Sequence, residues 1–355
     1  MMNCLTRVAA AGLASVFIMS SVNASLADDS VSFEGKTLTM LIGYAPGGGT
    51  DLFGRILAPY MTENLPGKPA IVIRNMPGAD GVIALNSFVK QTKPDGMTFT
   101  VGSGTQVDPF TYRIANAQYD LTTFAHVGGA SRSGTVMMID SAALPRLNDK
   151  RQPPVTMGAL SAVRSGMMIT LWGGEYLGWN VKWVVGYRGA NELLLALSRH
   201  EIDMTSAALP DQIEGVRQSG DFTVVTQSGV LEEGKLQPRP EFPSVPVLAN
   251  QIEPMIADPV AQKAFAHWKT IMLVGQWVAL PPETPKAIVD TYKKAFHAAF
   301  QNPAFREQAK KVDPGMNEMS DADMLAMVTV LGQTPPEALT FLETIARKQG
   351  LPGVQ

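Results

Sequence analysis

Tyr44-Ala45-Pro46-Gly47-Gly48-Gly49-Thr50-Asp51 stands between the apolar run Thr37 to Gly43 and a segment, Leu52 to Met61, whose apolar residues recur at helical spacing. A strand that passes through glycines into a helix leaves the first N–H groups of that helix without intrahelical partners. It aims them, with the positive end of the helix dipole, at one spot. An anion fits such a spot. The loop has no Lys and lacks the spacing of a Walker loop or a dinucleotide fingerprint, so a carboxylate suits it better than a triphosphate. Gly47, Gly48 and Gly49 read equally well as a bare turn; the helix start at Thr50-Asp51 tilts them, with Pro46, toward anion binding. Asp51 reads as a cap, since its carboxylate can accept first-turn amides and would repel a bound anion. Tyr44 is either a lid over a ligand or a half-buried aromatic at a strand end.

Outward from this loop, strand and helix patterns alternate. Ala70 to Arg74 is a second strand, Val82 to Val89 a second helix and Thr98 to Gly102 a third strand, a βαβαβ unit whose right-handed crossovers give a parallel sheet. Ligands of such sheets bind beyond the carboxyl ends of the strands, where the loops 44–51, 75–81 and 102–108 converge. Pro77, Gly78, Ala79, Ser103 and Thr105 therefore join the candidate set. A second α/β series begins near Thr135, with strands at Thr135 to Ile139, Thr156 to Leu160, Val181 to Gly186 and Phe222 to Thr226, and helices at Ser165 to Tyr176 and Asn191 to Ser198. Ser161, Arg164 and Ser165 lie at a strand-to-helix turn placed like the first loop, where Arg164 could clamp a second carboxylate bidentately. The C-terminal part returns to helical patterns at 258–270, 285–300 and 321–330, with an apolar strand candidate at Ile271 to Leu280. The expectation is two α/β lobes flanking a cleft, 28–132 plus 251–355 as the first lobe and 133–250 as the second, with a parallel-type sheet in each.

Residues 1–27 read as a secretion signal: Arg7 precedes the apolar run Val8 to Met19, and cleavage is expected after Ala27 or, alternatively, Ala24. The single cysteine, Cys4, lies ahead of that run, which excludes cysteine catalysis, thiolate metal sites and disulfides from the mature chain. With 29 basic and 32 acidic residues and no basic run, nothing points to nucleic acid or a membrane surface. The four histidines, His126, His200, His267 and His297, are scattered, and no zinc-helix or nucleophile-elbow spacing occurs, so neither a metal nor a cofactor is expected. Trp172, Tyr176, Trp179 and Trp183 resemble a cage, but Gly173, Gly174 and Gly178 interrupt the helix it would need, so they read as core.

Six segments in order then carry a family resemblance: Tyr44 to Asp51; Asn75-Met76-Pro77-Gly78-Ala79-Asp80-Gly81; Lys93-Pro94-Asp95-Gly96; Gly102-Ser103-Gly104-Thr105; Gly186-Tyr187-Arg188-Gly189; and Glu201-Ile202-Asp203. The chain resembles the periplasmic substrate-binding proteins of tripartite tricarboxylate transporters, the Bug or TctC-like family. The resemblance implies a type II periplasmic-binding-protein fold, a venus flytrap. A carboxylate would lie on the first loop's backbone amides, and the second lobe, with Tyr187 and Arg188, would supply specificity. It further implies a monomeric periplasmic receptor that hands a small organic carboxylate to membrane subunits. A sensor presenting its ligand to a signalling receptor and an enzyme on the same fold are the alternatives. Met76 stands where the family commonly has a basic residue and Gly186 where it has Pro; these departures leave the ligand open between mono- and dicarboxylate, aliphatic and aromatic.

Overall fold

The computed structural model describes residues 31–111, 116–160, 167–232 and 235–351. The expected secretion signal, with both cleavage sites, lies outside the described residues, as do Ser161, Arg164 and Ser165.

Two mixed sheets form the frame. In the first, β1 (Thr37–Ile42) pairs in parallel with β2 (Ala70–Asn75) and with β3 (Thr98–Ser103), the triplet expected from the βαβαβ pattern. β4 (Ala125–Ser131) returns to this sheet after the triplet. In the second sheet β6 (Val155–Ala159) is parallel to β7 (Val181–Val185) and β8 (Met204–Ala207), and β5 (Val136–Asp140) lies antiparallel between β8 and β9 (Phe222–Gln227). Its order is β7-β6-β8-β5-β9. A separate hairpin, β10 (Val230–Glu232) with β11 (Lys235–Gln237), follows. The chain then re-enters the first sheet, where β12 (Val274–Leu280) runs antiparallel between β3 and β4 and β13 (Glu318–Ser320) closes the edge, in the order β13-β4-β12-β3-β1-β2. In the first sheet β12 and β13 run against β1 to β4, and in the second β5 runs against β6 to β9. Each sheet therefore keeps a parallel set of strands and is mixed as a whole.

Helix α1 (Gly49–Asn64) begins three residues earlier than its apolar period, because a polar first turn gives no periodic signal. With the helices Lys286–Gln301 and Pro303–Val312 it packs against the first sheet around Phe53, Leu57, Phe296 and Phe305. A second core joins the other sheet to the helices Met168–Tyr176, Pro259–Ile271 and Pro336–Lys348, where Trp172 is fully buried and meets Phe265 edge to face at 4.9 Å between centroids. The tryptophans are core, as read. The helix, however, continues through Gly173 and Gly174, whose lack of a Cβ leaves room for the Trp179 ring and the Gln349 side chain, 2.3 and 2.4 Å from where one would stand. β4 escaped the sequence pattern because Gly128 and Gly129 interrupt it; there a Cβ would come within 2.6 Å of the Phe296 ring and 2.4 Å of Met324 Sδ. Close helix-on-sheet packing selected glycine over strand propensity. The first three residues of the Ile271–Leu280 candidate end a helix instead.

Candidate functional site

Strand polarity fixes what faces the space between the sheets. β1 and β3 point their carboxyl ends there, antiparallel β12 its amino end, and β4 its carboxyl end. Along the first sheet the rim thus runs from the β1 end through Ser103 at the end of β3, Gly104 and Thr105 just after it, and Gly275 and Gln276 of β12 to Arg132 after β4. The second sheet contributes Thr135, Arg188 to Ala190 and Ser206 to Leu209. Between them lies a cavity of about 110 Å³, room for several waters or one small solute.

The first loop is held rigid from beneath. Tyr44 Oη donates to Asp80 O at 2.9 Å and is 2.6 Å from Ser103 Oγ, so one phenol ties the ends of β1, β2 and β3 together. Asn75 Nδ2 donates to Tyr44 O and to Asp51 Oδ1, at 2.9 and 2.8 Å. Gln106 braces the third loop, accepting from Ser103 N at 2.9 Å and donating to Gly81 O at 3.1 Å. The second loop turns through four consecutive positive φ values, Gly78 at 146°, Ala79 at 45°, Asp80 at 50° and Gly81 at 86°. Two of these residues carry side chains in a region that costs about 1–2 kcal/mol each.

The two lobes present matching helix starts. α1 has Gly48 as its N-cap and the Ala190–Ser198 helix has Gly189, neither with a side-chain cap bond. In both, the acid three residues on takes the amide just before the cap: Gly47 N donates to Asp51 Oδ2 at 2.8 Å, and Arg188 N to Glu192 Oε2 at 2.7 Å. The acids thereby turn away from the first-turn amides, and both caps line the cavity. Burial pushes the Asp51 carboxyl up, but hydrogen bonds from Arg55 at 2.7 Å, Gly47 and Asn75 outweigh it and hold it below its ordinary value. Glu192 is lowered chiefly by the Arg188 amide. The lobes approach closely: a Cβ on Gly189 would lie 3.9 Å from Ala45 Cβ, and one on Gly49 3.6 Å from Leu209 Cδ2.

Of the residues singled out from sequence, Tyr44, Gly48, Gly49, Ser103, Thr105 and Arg188 line this cavity. Pro46, Gly47 and Asp51 lie behind the lining, Asp51 fully buried as the brace of the loop. Pro77, Gly78 and Ala79 follow β2, the edge strand, one place beyond the rim. Tyr187 is half-buried and packs against the core beside Arg188, and burial raises its phenol. Gly186 has φ 111°, which proline cannot adopt; that accounts for its standing where the resembling family has Pro. Sequence reading missed Arg132, Thr135, Gln212, Gln276 and Asp313. Arg132 directly precedes the expected lobe boundary, and Gln276 is the single amide in an apolar strand, signals that were present. Among the described residues no group of His, Cys, Asp and Glu could hold a metal ion.

The loops behind the cavity are fixed by a fully buried guanidinium. Arg239 Nη1 donates to Gly134 O at 3.1 Å and Ala208 O at 2.9 Å, while Nη2 meets Glu241 at 2.9 Å. One side chain thus joins the passage between the sheets to the cavity wall.

Comparison with known proteins places this architecture. A family model described as "Tripartite tricarboxylate transporter family receptor", TctC, matches residues 54–330. A UPF0065 protein of Bordetella pertussis is 26% identical over 307 residues, covering 83% of this chain and 85% of that protein. Among solved structures, periplasmic binding protein BugD superposes with a TM-score of 0.65 at 20% identity over 90% of this chain and 99% of its own. Rpa4515 of R. palustris with adipate gives 0.65 at 20%, over 89% and 98%. The chain belongs to the TctC family of tripartite tricarboxylate transporter receptors.

Proposed function

We propose that this protein is an extracytoplasmic solute receptor that holds a small organic carboxylate between its lobes, 28–132 with 251–355 and 133–250, and delivers it to the membrane subunits of a tripartite tricarboxylate-type transporter. The observation that carries this is the pair of glycine N-caps, Gly48 and Gly189, lining one cavity from opposite lobes. Each offers first-turn amides and the positive end of a helix dipole, and together they surround a carboxylate on two sides without a permanent charge. An anion taken from water must recover its hydration from such donors or lose several kcal/mol. Ser103, Thr105 and Gln276 add neutral donors on the same rim. Family membership and a structural neighbour bearing adipate support a carboxylate as the guest. A micromolar site needs about 8 kcal/mol, within reach of a few charge-assisted hydrogen bonds and modest apolar burial.

Binding requires no bond to form or break. A thermal-shift screen of organic acids, followed by equilibrium dialysis of the best, should give saturation at one ligand per chain with the acid recovered unchanged. Ligand bound only by the native state at a hundred times its Kd adds about 2.7 kcal/mol of stability. Conversion of the acid by catalytic amounts of protein would replace this reading with an enzyme.

A further inference from the structure

We propose that Arg132 is the residue by which this receptor distinguishes a ligand with two anionic groups from one with a single carboxylate. The inference rests on the reading above, in which the first carboxylate lies at the Gly48 and Gly189 helix starts.

Arg132 is half-buried, lines the cavity and sits at the first passage between the sheets. Its backbone is clamped on both sides. Ser131 N donates to Asn317 O at 2.9 Å, and Ser133 N donates to both carboxylate oxygens of Asp313, at 2.8 and 3.0 Å. The guanidinium is oriented in turn by Nη2 donating to the buried Thr135 hydroxyl. A fork fixed in this way has lost much of the rotamer freedom that binding would otherwise cost. Asp313 also lines the cavity, but its oxygens accept from Ser133 N, Ser133 Oγ and Gly315 N, so the carboxylate is turned to the backbone of the passage. Arg188, the other cation among the described lining residues, is spread on the surface against Glu192.

Sheet order supplies the ruler. From the end of β1, where α1 begins, to the end of β4, where Arg132 follows, the rim crosses β3 and β12. Three strand spacings make about 14 Å between backbones. The helix starts and the guanidinium thus stand at the two ends of this rim, where a guest with an anionic group at each end of a short carbon chain meets both. The groups between, Ser103, Thr105 and Gln276, are uncharged, as suits the middle of such a chain.

The test is calorimetric titration of wild type, Arg132→Gln and Arg132→Lys with three probes: glutarate, adipate and hexanoate. A charge-assisted bidentate pair gives roughly 10- to 100-fold in affinity. Wild type should favour a diacid over hexanoate by that factor. Arg132→Gln should lose the preference, weakening the diacids far more than hexanoate, and Arg132→Lys should recover part of it. Thr135→Val, which releases the fork without removing charge, should weaken the diacid by a smaller factor, and by more than it weakens hexanoate. Wild-type preference that survives in Arg132→Gln overturns the assignment, as does equal loss for mono- and diacids at an unchanged melting temperature. Hexanoate binding without diacid preference in wild type overturns it while leaving the carboxylate site standing. Binding of no carboxylate by wild type overturns both readings together.

Discussion

Replacing Gly48 with aspartate should raise stability slightly and abolish ligand binding in one step. Gly48 has φ −80° and ψ 166°, open to any residue, and a Cβ there meets nothing nearer than Ala45 O at 3.7 Å. No steric cost follows. At an N-cap, aspartate accepts a first-turn amide and improves on glycine by a few tenths of a kcal/mol. The new carboxylate, however, stands beside the proposed position of the ligand's. Two like charges about 4 Å apart at an effective dielectric near 20 repel by about 4 kcal/mol, roughly a thousandfold in affinity. Gly48→Asn has the same shape without the charge; it competes for the amides only and should cost about 1–2 kcal/mol. Gly48→Ala should cost least. The assay is titration calorimetry with the acid that gives the largest thermal shift, alongside the melting temperature without ligand. Undiminished affinity in Gly48→Asp would remove this helix start from the site. Equal losses for Asp and Asn would refute the electrostatic part, and a ligand-free melting temperature lower by several degrees would refute the cap geometry.

Two further substitutions test the frame behind the cavity. Asp51→Asn exchanges a buried carboxylate bound by Arg55, Gly47 and Asn75 for a group that is itself half donor, and should cost about 1–3 kcal/mol at neutral pH. Because the native carboxyl is held below its ordinary 3.8, its contribution is present above that value and fades as pH falls through the lower native one. Urea midpoints of wild type and variant should therefore converge below about pH 4, and a gap that stays constant down to about pH 2.5 would contradict the assignment. Arg239→Met strands Gly134 O, Ala208 O and Glu241 and should lower unfolding free energy by about 3 kcal/mol; Arg239→Lys keeps the charge but cannot span both carbonyls, so rescue to wild-type stability would refute the bridging role.

The first loop and the parallel strands were legible because their signals are local: glycines before a helix, apolar runs of strand length, turns between them. Much of the rest was decided across the chain. β4 looks like a loop until Phe296 and Met324 are seen to fill the space above Gly128 and Gly129. Pro77 to Ala79 belong to a loop that converges in sequence logic, yet strand order places β2 outermost and carries that loop past the rim. Arg132 gave no motif, since an arginine between two strands becomes a cavity residue only once β12 inserts beside β4 and sets the passage over the cleft. Arg239, in a Pro-rich stretch, reads as a solvated loop cation; its burial depends on carbonyls more than thirty residues distant in the chain.

The mouth of the cleft also bears on how a ligand could close it. The lobes approach through pairs that each include a glycine: Ala45 against Gly189, Gly47 against Asn191, Gly49 against Leu209. Contact between such residues covers only tens of Å² of apolar surface, on the order of 1 kcal/mol, so closure without ligand gains little. The two helix starts bring positive partial charges, about half a charge each, toward one another, and this opposes closure further. An anion between them reverses the sign, because both ends then attract the same guest. A ligand shifts a conformational equilibrium only by the difference in its affinity for the two states. On the proposed function that difference would be the second helix start, out of reach of a carboxylate on the first whenever the lobes stand apart. On the proposed function, the glycines at positions 48 and 189 would thus do more than free backbone amides: they would make closure depend on the charge of what enters.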